Sequence, residues 1–349
     1  MKLASLVQAY QYGFERKYAN AITPAMRGAI HAVLACRTPD YGQMNLCCPQ
    51  CQTQAQQYHS CGHRSCPGCQ HYDTGRWLER QTQKLLPVEY YMATFTLPRQ
   101  LRRLVWYHQR TLYNLLLECA ISTLKSFGLN DAALGGDLGF TAVLHTHSRQ
   151  LAFHPHVHII IPGGCLLRAR RQWKKRRGKY LFNEINLATV FRARLSDAIV
   201  KAGFCLPQAL PKHWVAHCMH VGKGLPALQY LSRYLYRRVV SEHNIIEDDG
   251  AYVTFRYRDS ETNSLKTRRC KGEDFLWLVF QHALPKGFRR TRDYGFLHGN
   301  ARKIRQLIQW LLQVKLPEPE PKSRPAFICP RCQVPMRIVA FMPPSWRAG

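Results

Sequence analysis

In "HPHVHIIIPGG" (residues 154–164) three histidines stand at alternate positions, run into an aliphatic stretch and end at Pro162-Gly163-Gly164. On a strand, side chains two apart share a face, so His154, His156 and His158 point one way and Val157 and Ile159 the other. The run just upstream, "LGFTAVLHTHSRQ" (138–150), carries His145 and His147 in phase as well. The polar Ser148-Arg149-Gln150 between the two runs predicts a hairpin. Five of the chain's 16 histidines therefore fall within residues 145–158. Imidazoles are costly to bury without partners, and a cluster of them on paired strands reads as a set of metal ligands. Ring nitrogens without thiolates suit Mg²⁺ or Mn²⁺, with water or phosphate oxygen completing the shell; zinc stays open by ligand type alone.

Outward from this hairpin, strands and helices mix. "EYYMATFTL" (89–97) is aromatic and β-branched, and residues 98–128 place Leu101, Leu104, Val105, Tyr113, Leu116 and Leu117 at helical spacing. Residues 168–179, "RARRQWKKRRGK", are a basic loop or hairpin, and a helical period returns over 187–202. "HWVAHCMHVG" (213–222) predicts a strand, and Pro226 is suited to the first turn of the helix that follows. A hairpin over 251–270, a short helix over 273–284 and a last helix over 300–314 complete the body.

The helix after Pro226 carries "YLSRYLYRR" (230–238), which sets Tyr230, Arg233, Tyr234 and Arg237 on one face at i, i+3, i+4 and i+7. A phenol with its ordinary pKa near ~10 attacks phosphorus only when a cation stabilises the phenolate. Arg233, Arg237 or the metal would supply that charge. The product is a 5′-phosphotyrosine and a free 3′-hydroxyl, which stores the phosphodiester energy for rejoining.

Seven of the 14 cysteines fall between Cys36 and Cys69, a cluster and not the even spread of a disulfide scaffold. Cys48-x₂-Cys51 and Cys66-x₂-Cys69 approach a four-cysteine zinc spacing, with Cys61 and His63 as further ligands. Cys36, Cys47, His59, Cys61 and His63 are available to complete a second site or to substitute in the first. Cys329-x₂-Cys332 is a lone pair that either borrows ligands from elsewhere or is a turn with free thiols.

With 50 Lys and Arg against 21 Asp and Glu the net charge is +29, spread along the whole chain. A polyanion is the natural partner, and nucleic acid the expected one. No apolar run reaches the ~18 residues of a spanning helix, and the start offers no cleavage site, so a cytoplasmic protein is expected and a membrane protein is not. Single-stranded nucleic acid needs a basic channel with platforms for unstacked bases. Trp173, Lys174, Lys175, Arg176 and Arg177 supply one candidate surface, and Arg289, Arg290 and Arg292 another.

Two histidines around one hydrophobic residue on a strand (His156-Val157-His158), followed by a helix with two tyrosines four apart, resemble the HUH single-strand endonucleases. "YHSCGHRSCPGCQ" (58–70), "FHPHVHIIIPGG" (153–164), "YLSRYLYR" (230–237) and "LPKGFRRTRDYGFLHG" (284–299) resemble, in order, the two-tyrosine rolling-circle transposases of the insertion-sequence ninety-one family. The resemblance implies an α+β protein: an N-terminal zinc-binding module, an HUH endonuclease core of antiparallel sheet with flanking helices, and a mixed C-terminal region. It implies Tyr230 and Tyr234 as nucleophiles and His156 and His158 as metal ligands, with the third ligand open among His145, His147, His154 and Gln229. The implied partners are single-stranded DNA at element ends and target, and host replication or helicase machinery, since the chain has no G-x₄-G-K-[ST] string of its own. A bacterial, nucleoid-associated location follows from the same resemblance. The expected divisions are a zinc-binding DNA-docking module at 1–86, a core at 87–240 and a DNA-binding or assembly region at 241–316. A linker and CxxC tail at 317–349 end the chain. Competing readings are a plasmid rolling-circle initiator or relaxase, which shares the chemistry, and a non-catalytic zinc-binding DNA regulator.

Overall fold

A computed structural model describes residues 2–223, 225–226, 229, 239–259, 262–314 and 326–344. The chain begins with α1 (Leu3–Tyr18) and α2 (Pro24–Leu34), then β1 (Gln43–Cys47), β2 (Gln54–Tyr58) and α3 (Gln70–Thr82). Next come β3 (Glu89–Thr96), α4 (Arg102–Tyr107), α5 (Gln109–Asn130), β4 (Gly139–His147) and β5 (Phe153–Pro162). The short β6 (Gly164–Leu167) and β7 (Gln172–Lys175) precede α6 (Glu184–Lys201) and β8 (Val215–Lys223). The remainder holds β9 (Ile245–Asp248), β10 (Tyr252–Arg258), β11 (Leu265–Lys271), α7 (Gly272–Phe280), β12 (Thr291–Gly295), α8 (Arg302–Leu311) and β13 (Arg337–Met342). The fold is α+β, as expected.

Packing divides the chain into two compact units, each drawn from separated stretches. One gathers residues 1–72, 238–283 and 317–349; the other gathers 73–237 and 284–316. The expected C-terminal region at 241–316 is thus parted at residue 283, and the tail at 317–349 belongs with the N-terminal unit. The reason lies in α1, whose inward residues Leu3, Leu6, Val7, Tyr10 and Phe14 need a partner. They find it in α7, where Tyr18 stacks on Trp277 at 4.5 Å and Lys17 pairs with Asp274 at 2.5 Å. No local sequence cue foretells a pairing across so many residues.

The second unit is built on a five-stranded antiparallel sheet in the order β12-β4-β5-β3-β8. The β4–β5 hairpin turns where the polar triplet predicts it, with Ser148 N–H donating to the Ala152 carbonyl at 2.9 Å and Leu151 in the left-handed region at φ 65°. One face of the sheet carries Phe95, Phe140, Leu144, Val157, Ile159 and Ile161 against the inward sides of α5 and α6. Each large apolar side chain so buried contributes about 1.5–3 kcal/mol. On the opposite face, Tyr90, Val143 and Ile160 are covered by Trp77 of α3 and Ile308 of α8. The remainder of that second face carries the histidines. Among the described residues no helix is long and apolar enough to cross a membrane.

Candidate active site and metal centres

Strand register brings the histidines together. His145 of β4 lies directly opposite His156 of β5, and His158 lies opposite Val143 on the same face. One ring nitrogen each from His145, His156 and His158 falls within 4.8 Å of the others. The remaining hydrogen bonds orient the rings. His156 Nδ1 sits 2.7 Å from the His154 carbonyl oxygen, which can only accept, so that nitrogen carries the proton and Nε2 keeps its lone pair. The Thr94 hydroxyl on β3 lies 2.9 Å from Nδ1 of His158. Burial, then the nearby His158, holds His156 down to about 3. Burial, then the Arg290 guanidinium, holds His158 down to about 4 and holds His145 well below the ordinary imidazole range. All three are neutral at pH 7, which is the form that binds a metal.

His147 and His154, also expected among the ligands, are not in this group. Pairing shifts register between His145 and His147, which breaks the alternation that would have kept them level. His154 is instead engaged by Arg102, whose Nη2 donates to Nδ1 at 2.5 Å. The donor set of three neutral imidazoles fits a divalent ion with positions left for oxygen ligands. Thr94→Val, which keeps the shape and loses the hydroxyl beside His158, is expected to weaken Mn²⁺ binding by roughly 10- to 100-fold, read by isothermal titration.

The cysteines group differently from the expected set. Cys48 and Cys51 do not share a site with Cys66 and Cys69; the fold builds Cys36, Cys61, Cys66 and Cys69 into one cluster, and Cys48 and Cys51 face Cys329 and Cys332. In the first cluster Cys36 Sγ lies 3.3 Å and Cys61 Sγ 3.5 Å from Cys69 Sγ. Cys36 comes from the end of α2, tied down by the Arg37 N–H donating to the His59 carbonyl at 3.1 Å. His63 is outside the cluster, its Nδ1 accepting from the Ser65 N–H at 3.1 Å. The thiols of Cys61 and then Cys66 donate toward Cys69 and hold it far below the ordinary thiol range, while sharing with Cys66 and Cys69 pushes Cys61 up. Four sulfurs competing for a few protons at these separations fit a tetrahedral dication, in which Zn–S bonds of ~2.3 Å place sulfurs about 3.8 Å apart.

The two basic segments are shaped more by packing than their composition suggests. Trp173 lies edge-on to Phe296 at 5.6 Å and against Gly164, where an added Cβ would meet the indole at 2.4 Å, so it is part of the protein's own packing and not a free platform for bases. Lys174 donates to the Ala132 carbonyl and Arg176 to the Tyr180 carbonyl, leaving Lys175 and Arg177 as the exposed cations of that set. Arg292 turns inward to Asn114, while Arg289 is exposed. Arg290 is fixed beside the histidines by its Nε bond to the Leu144 carbonyl at 2.9 Å. Tyr230, Arg233, Tyr234 and Arg237 lie outside the described residues.

Comparison with known proteins bears on the same two regions. Residues 139–305, which contain all three converging histidines, match a family model described as "Putative transposase", and residues 6–97 match one described as "Transposase zinc-binding domain". The chain belongs to this transposase family. The transposase is 28% identical over 349 residues to "Putative transposase y4qJ" of Sinorhizobium fredii (strain NBRC 101917 / NGR234), covering 93% of this chain and 87% of that one. It is also 28% identical over 289 residues to "Transposase for insertion sequence element IS801" of Pseudomonas savastanoi pv. phaseolicola, covering 76% and 68%. The transposase's zinc-binding domain thus takes in Cys36, Cys61, Cys66 and Cys69, and DNA is its substrate. Zinc holds this module together, since few aliphatic residues surround the cluster. Cys66→Ser is expected to release zinc and unfold the module, read as metal content and proteolysis of residues 36–69.

Proposed function

We propose that the chain nicks and rejoins single-stranded DNA through 5′-phosphotyrosine intermediates, in rolling-circle replicative transposition of a bacterial insertion sequence. The observation that carries this reading is the convergence of His145, His156 and His158, one ring nitrogen from each within 4.8 Å of the others, with the rings of His156 and His158 held through Nδ1 by the His154 carbonyl and the Thr94 hydroxyl. A divalent ion held there, Mg²⁺ or Mn²⁺, would polarise a phosphoryl oxygen and offset the charge that develops on it. A non-catalytic DNA regulator has no use for such a centre.

Tyr230 and Tyr234 are the proposed nucleophiles, from their spacing in the sequence. The phenolic oxygen of one forms a bond to phosphorus, the P–O3′ bond breaks, and the 3′-oxygen leaves and takes up a proton. Arg233 and Arg237 stand one turn away in sequence to stabilise the phenolate. Arg290, fixed beside the histidines, supplies a cation for the scissile phosphate's non-bridging oxygens. Because the energy of the broken bond is kept in the tyrosyl ester, a 3′-hydroxyl from a second strand reverses the step without ATP. Two tyrosines allow two 5′ ends to be held together. Exposed Lys175, Arg177 and Arg289 are proposed to contact the DNA backbone. Strand separation falls to host replication or helicase machinery.

Incubating the protein with labelled single-stranded element ends and Mn²⁺ tests the reading. A covalent protein–DNA adduct, absent when EDTA replaces Mn²⁺, is expected. Binding with no adduct under either condition contradicts it.

A further inference from the structure

The cysteines at the two ends of the chain meet. Cys48 Sγ lies 3.3 Å from Cys332 Sγ although 284 positions separate them, and Cys51 Sγ lies 3.5 Å from Cys329 Sγ and 3.6 Å from Cys332 Sγ. All four ligand atoms fall within 4.8 Å of one another, and none is in a disulfide. These separations are too long for a sulfur–sulfur bond of ~2.05 Å. They fall within about 0.5 Å of the ~3.8 Å between ligands of a tetrathiolate zinc ion.

The two loops that present the thiols are built alike. "CPQCQ" (48–52) and "CPRCQ" (329–333) each close with the first cysteine's N–H donating at 2.9 Å to the carbonyl five residues on, Thr53 in one and Val334 in the other. In each, the fifth residue's N–H returns to the first cysteine's carbonyl, at 3.1 Å for Gln52 and 3.0 Å for Gln333. Both glutamines take the left-handed region, at φ 55° and 59°, and both side-chain amides reach the loop proline's carbonyl at 3.4 Å. Two matched turns aiming paired thiols at one point make a built site and not an accidental approach. Around it lies a very small core of Leu46, Cys48, Cys329 and Met336, too small to hold a chain end by burial alone.

We propose that Cys48, Cys51, Cys329 and Cys332 form a second tetrathiolate zinc site, which clasps the carboxy-terminal strand β13 onto β1. The strand pairing it secures runs antiparallel from Gln43↔Met342 to Cys47↔Arg337, with an irregularity at Asn45/Leu46. On binding, the ion takes four sulfur lone pairs and the thiol protons pass to solvent. The site is independent of the histidine centre: its thiolates hold an ion in place and leave no position open for substrate.

The test uses the full-length protein. Alkylation of native protein with iodoacetamide, mapped by mass spectrometry, is expected to spare Cys329 and Cys332 until a chelator is added and to modify both afterwards. Equal modification with and without chelator, or recovery of a Cys48–Cys332 disulfide in their place, overturns the proposal. The double substitution Cys329→Ser and Cys332→Ser is expected to lower zinc content by one ion per chain relative to the parent. It should also speed amide exchange in 337–342 while the Cys36–Cys69 cluster keeps its metal. Unchanged zinc content in that variant overturns it too.

Discussion

Replacing His156 by alanine is expected to slow single-strand cleavage by roughly 10³-fold, with DNA binding retained. The size follows from losing a divalent ion's stabilisation of a phosphoryl oxygen, about 4 kcal/mol where each 1.4 kcal/mol is tenfold. His156 is the member whose tautomer is fixed most firmly, by its bond to the His154 carbonyl, and its ring closes a triangle with the other two, at 5.3 Å from His145 and 4.8 Å from His158, which are 4.7 Å apart. Gel-shift affinity for single-stranded element ends separates the effects. Lost cleavage with unchanged affinity places His156 in the chemistry, and unchanged cleavage removes it from there.

The second large effect is expected from Tyr230→Phe and Tyr234→Phe. Phenylalanine keeps the ring and removes only the attacking oxygen, so each change is expected to abolish transposition of a flanked element in cells. The double variant is expected to form no covalent adduct in vitro. If both single variants transpose normally, the nucleophile lies elsewhere. Only the single variant that keeps the first-attacking tyrosine is expected to form an adduct, without the joined exchange of two strands, so adduct formation by the single variants also reveals which one attacks first.

The histidine strand was legible because a period of two is fixed by strand geometry, and "HPHVH" with "LHTH" leaves little else to build. The third nitrogen was not legible, because it depends on register. One step of slippage between His145 and His147 selects the former, and Arg102, far away in sequence, draws off His154. The zinc cysteines were recognisable as a class but not as sets. CxxC pairs carry no statement of which pair meets which, and the pairing of β13 with β1 that brings Cys329 to Cys51 is a long-range event. The near-repeat of "CPQCQ" in "CPRCQ" was the available signal.

Composition alone overstated the basic segments. Trp173 and Arg292 look like nucleic-acid contacts in a charge run, yet the ring packs on Phe296 and the guanidinium bonds Asn114. Strand β12 also escaped the sequence reading. "TRDYG" is short and charged, and its Asp293 is accommodated because Lys84 pairs with it at 2.5 Å, the Thr141 hydroxyl donates to it at 2.7 Å and the Gln81 amide donates to it at 3.2 Å.

The most direct test of the account is a crystal of the protein soaked in Mn²⁺ and measured for anomalous scattering. The account predicts a manganese peak about 2.1 Å from one ring nitrogen each of His145, His156 and His158. A difference map with no peak at those three rings, while the cysteine clusters hold their zinc, would contradict it.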